Sequence, residues 1–114
     1  MNKNILNTVI IGLFSIVMLS GCGGTVPLPT AEHRSYAENR WQGKNVNLDL
    51  GRDMYIEKCS GCHSLIAPTK FSEAKWMEEI KEMKVKAKLS DDEEFAILTY
   101  VLTEASVLRT TRMD

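Results

Sequence analysis

Residues 59–63 read Cys59-Ser60-Gly61-Cys62-His63, a C-x-x-C-H. Two thiols two residues apart can add across the two vinyl groups of one porphyrin, which is how a c-type haem is attached. The adjacent His63 then offers an imidazole nitrogen to the iron as proximal axial ligand. A zinc half-site would use the same two thiols and imidazole, but would need a fourth ligand. Apart from His63, the chain holds a single histidine, His33, in a distant polar stretch. A redox dithiol would want a βαβ setting, which this sequence does not suggest. A Cys59–Cys62 disulfide would leave His63 without a role. One covalent haem c is therefore the cofactor the motif implies, and no catalytic residue is implied.

The N-terminus agrees with that reading. A short polar start with one cation, Lys3, precedes a 15-residue stretch from Ile5 to Leu19 that is apolar apart from Asn7, Thr8, Gly12 and Ser15. A membrane span needs about 20 such residues, so the layout is that of a secretory signal. It ends in Leu19-Ser20-Gly21-Cys22, which resembles the lipobox of bacterial lipoproteins. The resemblance implies a signal peptide over residues 1–21, cleavage before Cys22, and palmitate-type acylation of Cys22. Two acyl chains anchor a protein stably where one does not. Of 3 cysteines, one is then used for lipid and two remain for haem. Gly23 stands where this lipoprotein family can carry an inner-membrane retention Asp. Its absence points to the periplasmic face of an outer membrane, or otherwise to the outer face of a cytoplasmic membrane.

Cleavage leaves 93 residues with 13 cations and 15 anions, a net charge of −2. Nothing in that balance suggests nucleic acid. Residues 22–45 read as the lipidated Cys and a tether, because Gly23, Gly24, Pro27 and Pro29 discourage regular structure. His33, Arg34, Tyr36, Arg40 and Trp41 can still fold back on the domain, and Trp41, too apolar to be purely solvated, is expected to pack. The domain is then residues 46–114. Its folded part, about 67 residues, is near the size at which one apolar core is marginal without a staple. A covalent haem is such a staple, and the apoprotein is expected to be largely unfolded.

The domain patterns as all-α. A first helix spans about Leu48 to Lys58. A second starts after Ser72, a candidate N-cap, with Trp76, Ile80, Met83 and Ala87 on one face. Ser90-Asp91-Asp92-Glu93 is a capping box opening a third. Its apolar stripe is Phe95, Leu98, Val101, Leu102 and Ala105, flanked by Ile97 and Tyr100.

Gly51-Arg52-Asp53-Met54-Tyr55-Ile56-Glu57-Lys58 running into the C-x-x-C-H resembles the N-terminal helix of class I cytochrome c. Ala96-Ile97-Leu98-Thr99-Tyr100-Val101-Leu102 is similar to that family's last helix. The resemblance covers about residues 48–105 and implies a small fold of about three main helices wrapped around one haem. It further implies that Gly51 and Tyr55 pack on the C-terminal helix. A carbonyl placed by a proline, for which Pro68 is the candidate, would accept the His63 Nδ1–H; the other reading of Pro68 is a plain turn residue. The family's function is electron transport, not substrate transformation.

A second axial ligand is usually Met sulfur. Met54 lies on the proximal side and Met113 at the C-terminus. Met77 sits about 100° around the helix from Trp76. Met83 shares the face of Trp76 and Ile80 and follows His63 by 20 residues, and the short members of the family carry their Met here. His63 and Met83 are the expected iron ligands, with Met77 next. Loss of Met83 ligation would leave an open site able to bind gases, or a bis-His site with His33; an accessory haem subunit of a larger oxidoreductase is a third reading. Lys81, Lys84, Lys86 and Lys88 surround Met83, with Lys70 and Lys75 upstream. They form either a rim that steers acidic redox partners or a solvated face with pairs such as Glu82–Lys86.

Overall fold

The computed structural model describes residues 26–114. The expected signal peptide, residues 1–21, and the expected lipid-anchor Cys22 lie outside the described residues. Four helices follow in order: α1 (Ala31–Arg40), α2 (Leu48–Cys59), α3 (Glu73–Lys86) and α4 (Asp91–Thr111), with a short 3-10 turn at Pro68–Lys70 between α2 and α3. No strand occurs among the described residues.

Local chemistry sets the helix starts. The Asn47 side chain accepts from the Leu50 N–H at 3.0 Å to open α2, and Ser72 Oγ accepts from Lys75 N–H at 3.2 Å to open α3. At α4 the capping box closes in both directions: Glu93 N–H to Ser90 Oγ, and Ser90 N–H to the Glu93 carboxylate at 2.8 Å. These bonds satisfy amide donors that have no partner inside the helix. At the end of α3, Lys88 takes a left-handed backbone (φ 54°). The Leu89 N–H then bonds back to the Lys84 carbonyl at 2.9 Å, a Schellman-type close that turns Leu89 into the core.

The stretch read as a structureless tether contains a helix instead. Pro27 and Pro29 stop short of it, and residues 30–42 hold neither Pro nor Gly. The segment is therefore free to form α1 from Ala31, and it ends before Gly43, whose φ is +75°. His33 and Ala37 are the buried face of α1, which packs on α4. Trp41 packs against the edge of the core, and Arg40 lies over its ring at 4.8 Å.

Helix α4 is the axis of the molecule: α1, α2, α3 and the 3-10 turn all pack on it. Its burial is accordingly wider than a single stripe. Ile97, Tyr100, Val101 and Leu102 belong to the core cluster, whereas Phe95 and Leu98, expected at the centre, are only partly buried. An amphipathic stripe assumes one covered face, and neighbours on several sides cover more.

The closest helix contact is α2 on α4 at Gly51. A Cβ on Gly51 would lie 2.2 Å from the Ala96 carbonyl oxygen and 2.7 Å from Tyr100 Cβ. The packing of Gly51 and Tyr55 on the C-terminal helix is thus present, with the Tyr55 and Tyr100 rings 6.2 Å apart. In an open helix, Gly→Ala is worth about 1 kcal/mol in favour of folding. Here the methyl group meets backbone, and overpacking of that kind costs about 1–3 kcal/mol. Gly51→Ala is therefore expected to lower stability, measured as the urea midpoint of the purified protein. A rise in the midpoint would show that the helices part without cost.

Candidate functional site

One mostly apolar pocket lies between the C-terminal end of α2, the loop after it, and one face of α3. It is lined by Tyr55, Cys59, His63, Ile66, Trp76, Glu79, Ile80, Met83, Leu89 and Ile97. Its cavity volume is about 30 Å³, room for one or two waters.

Each wall has a sequence cause. Cys59 is the last residue of α2 and is buried, because it follows Tyr55 by one helical turn on the face that meets α4. Cys62 and His63 are exposed in the turn beyond the helix, and Cys59 and Cys62 are not joined in a disulfide. Burial pushes the Cys59 thiol pKa up, with the nearby Cys62 adding to it. The loop is held by Tyr55, whose hydroxyl donates to the Ile66 carbonyl at 2.6 Å and accepts from the Ile66 N–H at 3.0 Å. Burial pushes the Tyr55 pKa up to about 12, which keeps the phenol protonated for this double bond. Trp76 forms the opposite wall. Its ring meets Tyr55 edge-on at 6.2 Å and Phe71 at 5.1 Å.

Of the expected haem residues, Cys59, His63 and Met83 line this pocket together. Cys62 stays exposed outside the lining. Met83 is half-buried on the pocket face of α3, while Met77 is 52% exposed. Met54 packs at the core edge and Met113 is exposed. Pro68 does not serve His63 as anticipated. Its carbonyl accepts the Trp76 indole N–H at 2.7 Å, and His63 Nδ1 lies 2.8 Å from the Ser64 carbonyl instead. The 3-10 turn places that carbonyl over the indole, so the proline orders Trp76 and not the histidine.

Glu79 is the lining residue that the sequence reading passed over. It falls three residues after Trp76 and four before Met83, hence on the same helix face. Its carboxylate is held at the rim by Lys75 at 2.8 Å.

The lysine cluster is mostly paired. Lys84 reaches Asp91 and Glu94, Lys86 reaches Glu82, and Lys75 reaches Glu78 and Glu79. Among the described residues, Lys70, Lys81 and Lys88 are exposed and make no ion pair.

His33 folds back on the domain and does not reach the pocket as a distal ligand. It is buried on α1, outside the pocket lining, facing the fully buried Glu104 of α4 at 3.2 Å. The Thr30 N–H donates to His33 Nδ1 at 3.2 Å, which leaves the ring proton on Nε2, toward Glu104. Burial lowers the His33 pKa, opposed by Glu32. Burial also pushes the Glu104 carboxyl up to about 7, although the Arg52 guanidinium pulls the other way. Among the described residues, no three His, Cys, Asp or Glu side chains gather around a metal position.

Comparison with protein families, with curated proteins and with solved structures finds no match for this chain.

The Glu104 shift has a sign that can be checked. A carboxyl whose folded pKa is raised holds a proton that the unfolded chain has released, so its contribution to stability falls as pH rises from about 4.5 to about 7. His33, with its lowered pKa, gives the opposite slope below 6.5. Glu104→Gln removes the first slope only. Relative to wild type, it is expected to gain about 1–3 kcal/mol of stability between pH 5 and pH 8 in urea titrations. A pH-independent difference would mean that Glu104 titrates normally.

Proposed function

We propose that this protein is a membrane-anchored monohaem c-type cytochrome, carrying single electrons between extracytoplasmic redox partners. The observation that carries the reading is the pocket in which Cys59, His63 and Met83 meet among apolar and aromatic walls. The close crossing of α2 and α4 at Gly51, of the kind the class I cytochrome resemblance implies, supports it.

A covalent haem would supply an iron that takes up and releases one electron. The donor chemistry of the residues fits that group. Cys59 and Cys62 stand in the required spacing with no disulfide between them, and the lining is mostly apolar. His63 and Met83 offer nitrogen and sulfur from different walls, His63 from the loop after α2 and Met83 from α3. A Met83 sulfur ligand would favour ferrous iron and raise the potential relative to two histidines. Tyr55 keeps the loop after His63 in place through both bonds to Ile66. Trp76, ordered by the Pro68 carbonyl, adds an apolar wall. Two protein ligands leave no position for a substrate, which is why the role proposed is transport and not catalysis. Exposed Lys81 and Lys88 flank the Met83 turn, and acidic redox proteins are the partners that such charges would steer.

The test is the visible spectrum of the haem-loaded protein, with and without CO. The expected result is a low-spin ferrous spectrum unchanged by CO, and a ferric thioether-to-iron charge-transfer band. Met83→Ala should lose that band and admit CO, while Met77→Ala should keep the wild-type spectrum. A high-spin wild-type spectrum, or prompt CO binding, would overturn the carrier reading.

A further inference from the structure

We infer that the domain sits flush on the bilayer, with the Val26–Thr30 segment as its membrane-facing surface, and does not swing on a long tether. The inference rests on the proposed lipidation of Cys22, and on nothing about the haem.

The segment after the anchor is bound down almost at once. Arg52 of α2 donates from Nε to the Val26 and Pro27 carbonyls at 3.2 and 3.1 Å, and from Nη2 to Val26 at 3.1 Å. The Tyr100 hydroxyl of α4 donates to the Pro27 carbonyl at 2.7 Å. Pro29 is buried, and α1 follows immediately with His33 against Glu104. The chain is thus part of the folded body from Val26 onward.

Chain reach then decides the geometry. Only Gly23, Gly24 and Thr25 separate Cys22 from Val26. Four residue steps span at most about 14 Å, whatever their path. A free segment as long as residues 22–45 would reach about 80 Å. The headgroup layer takes up roughly 6 Å of the shorter reach, so Val26 is confined to the membrane surface. At this place the domain presents Leu28, 70% exposed between two prolines that fix its backbone. A large apolar side chain there suits the headgroup–acyl boundary better than water. The occupant of this face is therefore the bilayer that carries the anchor.

The test uses the mature full chain, on a supported phosphatidylcholine bilayer, by neutron reflectometry. A companion chain carries 20 Gly/Ser residues between Thr25 and Val26, outside the folded body. The expected wild-type profile shows protein density beginning at the headgroups with no water layer. The spacer chain with Leu28→Glu should show its density moved outward by up to about 25 Å. Equal profiles for the two chains, or a water layer beneath wild type, would overturn the proposal. The intact mass of the mature protein separates the two layers of argument: a chain without acyl groups on Cys22 would remove the anchor reading, and this proposal with it. The measurement needs no haem, so failure of the electron-carrier reading would leave it standing.

Discussion

The crossing of α2 and α4 at Gly51 is the constraint on which the other contacts hang. A glycine lets the two backbones approach to a distance at which a methyl group would strike the Ala96 carbonyl. That approach puts Tyr55, one turn further on, beside Tyr100, and Cys59, one turn beyond that, at the wall of the pocket. The spacing 51, 55, 59 is a single helix face. The same face that closes the fold therefore aims the first thiol of the C-x-x-C-H inward.

Polar groups then fix what apolar packing alone would leave loose. The Tyr55 hydroxyl pairs with both backbone groups of Ile66, and the Trp76 indole takes the Pro68 carbonyl. A buried phenol or indole without a partner would be costly, and each finds one on the loop that follows His63. Sequestered polar atoms thus order a loop that carries few regular hydrogen bonds of its own. On the far side of α4, the His33–Glu104 pair and the Arg52 bonds to Val26 and Pro27 hold the N-terminal segment. The domain is larger than the three helices expected from residues 46–114 because this segment is part of it.

Much of this was legible in the sequence, where the signal was local. Ser72 and Ser90 mark helix starts by cap chemistry, and Trp76, Ile80 and Met83 declare one face by spacing. Gly51 and Tyr55 were legible through their resemblance to the first helix of class I cytochrome c. What was not legible depended on long-range partners. Helix α1 has a weak, mostly polar pattern, and its burial becomes evident only when Glu104 is seen opposite His33. The role of Pro68 turned on a competitor, Trp76, eight residues away. Glu79 lies on the pocket face by arithmetic, but a charged residue on an apolar stripe is easily assigned to solvent.

The central claim is that Cys59, Cys62 and His63 hold a covalent haem in the pocket below Met83. The most direct measurement is the intact mass of the mature protein under denaturing conditions, together with its absorbance. The account predicts one haem retained after denaturation, with no free thiol at Cys59 or Cys62, and loss of that covalent haem when both are replaced by alanine. Two free thiols, or thiols occupied by zinc and released by acid, would contradict it.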